Sequence, residues 1–250
     1  MTAECARHAM CQIAKSGASM IEQPAIRFFH VWDTYAKVVA NNYMFHHEIG
    51  EAIKAALAER FRGQSFSVLD LGCGDAATFA PILNDFALTG YCGVDLSESA
   101  LALAAHNLSG LSCPLELKQA EIMREVAVAK PADVIYASFS VHHLATAQKA
   151  EFFRLAAQKL KTGGLLIIAD VQREEGQDLD AYLTAFCEWT RRSMIALDAA
   201  EQDAICEHVG NYDFPEPLSV TKEQAETAGL VLASTTMPHK WFRLAVFEKG

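Results

Sequence analysis

The chain has 250 residues, 51% of them hydrophobic and 21% charged, a balance that sets aside disordered, collagenous and coiled-coil classes and is ample for a buried core. Its formal net charge is −10 and its longest basic run is Arg191-Arg192, so a nucleic-acid track is not expected. The 7 cysteines form no C-x-x-C pair and fit reduced thiols; with no apolar stretch long enough for a leader core or a membrane span, the expectation is a cytoplasmic protein with no membrane partner.

In chain order, residues 1–63 read as an N-terminal helical cap, with helical spacing of apolar residues over 26–39 and 48–57. From Phe66 short apolar runs alternate with amphipathic ones. Strands are predicted over 67–71, 90–94, 115–118, 132–138 and 165–169, and helices over 76–85, 98–107, 122–127 and 147–160. The runs are nearly unbroken in Val, Ile and Leu, the pattern of parallel strands covered on both faces. Lys161-Thr-Gly163-Gly164 reads as a helix stop and a tight entry to the fifth strand. Residues 172–218 break the pattern as a helical insertion, followed by a helix over 221–228 and two last strands over 231–236 and 242–247.

The sharpest local signal is Val68-Leu-Asp70-Leu-Gly72-Cys-Gly74-Asp75-Ala76, an apolar strand running into a glycine turn. Glycines there let the backbone approach a ligand and take conformations that a Cβ penalises. Gly72 to Ala77 also satisfies the dinucleotide form G-x-G-x-x-A. Charge separates the two readings, because Asp70 and Asp75 would oppose a pyrophosphate laid over the turn. The same carboxylates suit a ligand carrying an ammonium and a sulfonium, which points to S-adenosylmethionine.

Asp70-Leu-Gly72-Cys-Gly74 followed by Gly93-Val-Asp95-Leu-Ser97 resembles motif I and the second acidic motif of class I S-adenosylmethionine-dependent methyltransferases. The resemblance covers about 66–170 in the order of its elements. It implies an α/β fold: a Rossmann-like, seven-stranded, mostly parallel sheet with helices on both faces, over 64–250, with a substrate-lid insertion at about 172–218. It further implies a cofactor site of Asp70, Gly72, Cys73 and Gly74 under the methionine part, Asp95 on the ribose hydroxyls, Leu96 and Ile122 against the adenine, and Glu121 on its amino group. Ser138 and Phe139 would line the methyl region, and Tyr35 would close over the methionine end.

By the same resemblance, the activity expected is methyl transfer by in-line displacement to an O, N, C or S nucleophile of a small molecule, leaving S-adenosylhomocysteine. His142, His143, His46 and Tyr43 are the candidates for acid–base work. Trp189, Arg192, Tyr212 and His239, from the insertion and the last hairpin, are the candidates for acceptor contact. No metal is expected, since adjacent histidines do not readily turn both rings to one ion and Asp170-Val-Gln lacks the acid and amide of magnesium-dependent catechol methyltransferases. The chain is expected to be a monomer or homodimer. The alternatives are an NAD(P)-dependent oxidoreductase, against which no Tyr-x-x-x-Lys pair is found, and a non-catalytic S-adenosylmethionine-binding protein.

Overall fold

A computed structural model describes residues 32–250, and in it the apolar runs assemble into one sheet. The strands are β1 (Phe66–Leu71), β2 (Leu88–Asp95), β3 (Leu115–Gln119), β4 (Ala132–Ser138), β5 (Leu160–Val171), β6 (Leu230–His239) and β7 (Phe242–Lys249). Their order is β3-β2-β1-β4-β5-β7-β6. β7 runs antiparallel to β5 and β6, and all other neighbours are parallel. This is the mostly parallel seven-stranded sheet anticipated from the sequence.

The helices are α1 (Trp32–Ala40), α2 (His46–Phe61), α3 (Ala80–Leu83), α4 (Glu98–Asn107), α5 (Ile122–Val128), α6 (Thr146–Lys159), α7 (Leu179–Ser193), α8 (Ala199–Tyr212) and α9 (Leu218–Thr227). Successive strand residues point to opposite faces. Leu69, Leu71, Ile135, Ala137, Leu166 and Ile168 therefore meet α5, α6 and α9 through Val126, Phe152, Phe153 and Ala225. Val68, Val134, Tyr136, Leu165, Ile167 and Ala169 meet α2 and α4 through Ile49, Ile53, Leu57 and Ala104. Both sets must be apolar, which is why these strands show no alternation.

Three local expectations change. The helix predicted over 76–85 shrinks to α3, because Gly74 and Ala76 take left-handed φ values of 54° and 55° and the chain cannot continue as a right-handed helix through them. β5 starts at Leu160 and absorbs the predicted turn, with a register shift against β4 between Ala132 and Val134. The helical stretch predicted over 48–57 lengthens to α2, which packs on the sheet through Ile49, Ile53, Leu57 and Phe61; the predicted helix over 26–39 begins outside the described residues.

A third cluster sits across the carboxyl ends of the strands. It joins Val38 of α1, Tyr182 and Phe186 of α7, Ile205 and Val209 of α8, and Trp241 and Phe242 of the last hairpin. Among the described residues no helix is long and apolar enough to cross a membrane.

Candidate active site

Strand order reverses between β1 and β4, so their outgoing connections diverge and leave a crevice at their carboxyl ends. A cavity of about 220 Å³ occupies it. Its floor is the glycine turn. Gly72 N–H and Cys73 N–H both donate to the Val94 carbonyl, at 2.8 and 2.9 Å, and Ala76 N–H donates to the Cys73 carbonyl at 2.9 Å. Gly74 N–H donates to Asp95 Oδ2 at 2.9 Å and Ala77 N–H to Asp75 Oδ1 at 3.0 Å. The amides of Gly72, Cys73, Gly74, Ala76 and Ala77 are thus engaged within the protein, and α3 has only four residues. This is no anion nest.

Asp95 ends β2 with Ser97 N–H on Oδ1 at 2.8 Å and Gly74 N–H on Oδ2 at 2.9 Å. Each carboxylate oxygen retains a further lone-pair direction, so two neighbouring hydroxyls can still donate to it. Burial pushes its pKa up, against the pull of those amides. Asp70 is 1% exposed; its Oδ2 accepts the Tyr91 hydroxyl at 2.6 Å, whereas Oδ1 has no hydrogen-bond partner among the described residues. Burial raises its pKa to about 7, opposed by the Tyr91 hydrogen bond and reinforced by Asp95.

Every residue assigned to the cofactor by resemblance reaches this cavity: Tyr35, Asp70, Gly72, Cys73, Gly74, Asp95, Leu96, Glu121, Ile122, Ser138 and Phe139. Glu121 has a structural duty as well, since its carboxylate accepts from Met123 N–H and Arg124 N–H at 2.9 and 2.8 Å and caps α5. Phe139 holds φ at 47°, a left-handed conformation costly for an aromatic residue and concentrated in proteins at functional sites.

The opposite wall carries a histidine–carboxylate cluster. Asp170, at the end of β5, accepts the backbone N–H of His142 on Oδ2 at 2.9 Å and the His142 ring on Oδ1, through Nδ1. The other ring nitrogen, Nε2, lies 3.5 Å from Asp213 Oδ1. His143 Nδ1 and His208 Nε2 lie 3.3 and 3.8 Å from that same oxygen. Burial works against a charged His142, but Asp170 and Asp213 outweigh it and the pKa rises. His208 goes the other way, lowered by burial to about 4. His142, His143, His208 and Asp213 all line the cavity, beside an apolar wall of Phe186, Met194, Ile205, Val209 and Phe242.

The remaining sequence candidates lie elsewhere. The Tyr43 hydroxyl accepts Ala196 N–H at 2.9 Å, tying the α1–α2 turn to the insertion. His46 is buried with its ring edge-on to Phe139, and burial, with His47 beside it, pushes it down to about 4; it is a neutral packing residue. Neither belongs to the cavity wall. Trp189 and His239 pack on each other at 5.1 Å between centroids, within an aromatic cluster that includes Trp241 and Phe242. Arg192 is exposed on α7. The Tyr212 ring packs tilted against His208, 5.3 Å between centroids, and its carbonyl lies 3.2 Å from His143 Nδ1. Asp213 as a cavity residue, and Asp170 as the partner of His142, were not anticipated from the sequence. The 3-10 turn Val141–His143 holds the two histidine rings 4.0 Å apart, both beside Asp213.

Comparison with known proteins gives a concordant picture. Residues 69–166 match a methyltransferase domain family. A 106-residue stretch is 30% identical to phosphoethanolamine N-methyltransferase 3 of Arabidopsis thaliana, covering 42% of this chain and 21% of that protein; the match spans about a fifth of the relative. Among solved structures, magnesium protoporphyrin IX methyltransferase of Synechocystis with bound S-adenosylmethionine aligns over 94% of this chain and 100% of its own, with a TM-score of 0.64 at 12% identity. A cyclopropane synthase of Mycobacterium tuberculosis aligns over 73% of this chain and 62% of its own, with a TM-score of 0.54 at 17% identity. These similarities establish a shared fold.

Proposed function

With a class I methyltransferase domain at the centre of this chain, we propose that the protein transfers a methyl group from S-adenosylmethionine to a small molecule. The observation that carries this reading is the pairing of two carboxylates with an amide-saturated glycine turn. Asp95 presents two acceptor oxygens to a ribose, and the unpartnered Asp70 Oδ1 offers a site for an α-ammonium. A dinucleotide pyrophosphate would find most of the turn's amides already engaged, and one buried and one half-buried acid beside them, which disfavours the oxidoreductase alternative.

The sulfonium is already an activated donor, so placing the acceptor in line with the methyl supplies most of the rate, on the order of 7–11 kcal/mol. Acid–base assistance is the smaller factor, roughly 10²–10⁴-fold. In this reading the acceptor enters along the apolar wall of Phe186, Met194 and Ile205, and its polar end meets His143 and Asp213. His142, held between two carboxylates, orients the cluster instead of serving as a free base.

The test is a calorimetric titration with S-adenosylhomocysteine, followed by transfer of labelled methyl to a panel of amines, alcohols, carboxylates and thiols. One-to-one binding is expected, with NAD binding far more weakly; preference for NAD would overturn the proposal. A pH dependence follows from Asp70, which is largely protonated below about 7 in the free protein. An ammonium beside it favours the charged form, so binding releases a proton. Affinity for S-adenosylhomocysteine should therefore rise as pH increases toward about 7, by up to about tenfold per pH unit, and then level off. Asp70→Asn should flatten that slope; an unchanged slope in the variant would assign the titration to another group.

A further inference from the structure

We propose that His142, His143 and Asp213 form a binding site for a zinc-class divalent cation on the acceptor side of the cavity, with His208 turning in as its fourth ligand. One ligand atom from each of His142, His143 and Asp213 lies within 4.8 Å of the others. His208 Nε2 approaches the same carboxylate oxygen at 3.8 Å. Two observations separate this cluster from an ordinary hydrogen-bonded network.

The first is an orphan. Asp213 Oδ1, in a side chain only 6% exposed, is buried with no closed hydrogen bond among the described residues; without an ion its charge is met only by imidazole nitrogens standing 3.3 Å or more away. Leaving a buried carboxylate oxygen unsatisfied is costly unless something positive sits against it. The second is spacing. Charge-assisted N–H···O bonds close to about 2.7–2.9 Å, but the three histidine nitrogens stand 3.3, 3.5 and 3.8 Å from Oδ1. A tetrahedral ion with bonds of about 2.0–2.2 Å places its ligand atoms about 3.3–3.5 Å apart. The 3.3 and 3.5 Å spacings of His143 and His142 match that separation, and His208 at 3.8 Å lies just outside it.

The surroundings fit. Asp170 accepts from His142 Nδ1, which directs the Nε2 lone pair toward Asp213 and forms the carboxylate–histidine–metal relay common to zinc sites. Imidazole and carboxylate donors suit zinc or its borderline neighbours, not magnesium. On binding, His143 exchanges its 3.2 Å contact with the Tyr212 carbonyl for the ion. An ion at this place would bind an acceptor oxygen or sulfur and favour its deprotonated form.

The site is independent of the methyltransferase reading and is tested without nucleoside. Tag-free protein, stripped with chelator, is titrated with zinc and with cobalt. Expected are one tight equivalent and the intense visible bands of tetrahedral cobalt(II). Asp213→Asn and His208→Gln should each weaken zinc binding by on the order of 100-fold, and Asp170→Asn by roughly 10–100-fold. A far-UV circular dichroism spectrum like that of the metal-free wild-type protein verifies that each variant is folded. Wild-type protein that retains no zinc equivalent and shows no tetrahedral cobalt spectrum overturns the site, as does wild-type zinc affinity in Asp213→Asn.

Discussion

Replacing Asp95 with alanine is expected to weaken S-adenosylhomocysteine binding by on the order of 100-fold or more, because hydrogen bonds to a charged group contribute about 1.5–3 kcal/mol each and two ribose hydroxyls depend on it. Part of the loss would come from the protein itself, since Gly74 N–H and Ser97 N–H also donate to this carboxylate. A ligand lacking both ribose hydroxyls separates the two contributions. It should bind wild-type protein far more weakly than the parent nucleoside, yet the two ligands should bind Asp95→Ala almost alike. Full additivity of the two deletions would show that Asp95 acts only on the turn.

The second large effect is expected at Gly72. Its φ is +81°, and a Cβ built there would stand 2.7 Å from Ser140 Cβ. Gly72→Ala therefore combines a left-handed alanine, about 1–2 kcal/mol, with overpacking of about 1–3 kcal/mol. Urea unfolding should show a loss of roughly 2–5 kcal/mol, together with impaired cofactor binding. Adding Ser140→Gly should recover the steric share and leave the backbone share, less the cost of the Ser140 Oγ hydrogen bond to the Leu71 carbonyl at 3.0 Å. If the double variant were no more stable than Gly72→Ala alone, the clash would not be the cause.

The cofactor half of the cavity was legible in the sequence because it is built from strand ends. Once β1, β2 and β4 are placed, Asp95 and Ser138 at their carboxyl ends and Gly72 just beyond β1 have little freedom in where they go. The acceptor half was not, because its wall is made by tertiary packing of α7 and α8. Phe186, Ile205 and Val209 show the same helical spacing as any amphipathic helix, and which face closes over the strands depends on Val38 and Phe242, far away in the chain. The resemblance offers Trp189 and His239 as acceptor contacts, but their rings pack on one another and on Trp241. Asp213 follows α8 as an ordinary linker acid; only the return of the chain, with Phe214 N–H donating to the His142 carbonyl at 2.8 Å, brings it to the histidines. The short α3 was hidden by helix-favouring alanines, whose propensity is overridden by the left-handed turn at Gly74 and Ala76.

The decisive measurement is the location of S-adenosylhomocysteine in a crystal of its complex with this protein. The ribose hydroxyls should lie within hydrogen-bond distance of both Asp95 oxygens, the α-ammonium should sit on the Asp70 side, and the sulfur should face His143 and Asp213. A nucleoside seated outside this crevice, or one whose ribose makes no contact with Asp95, would contradict the assignment.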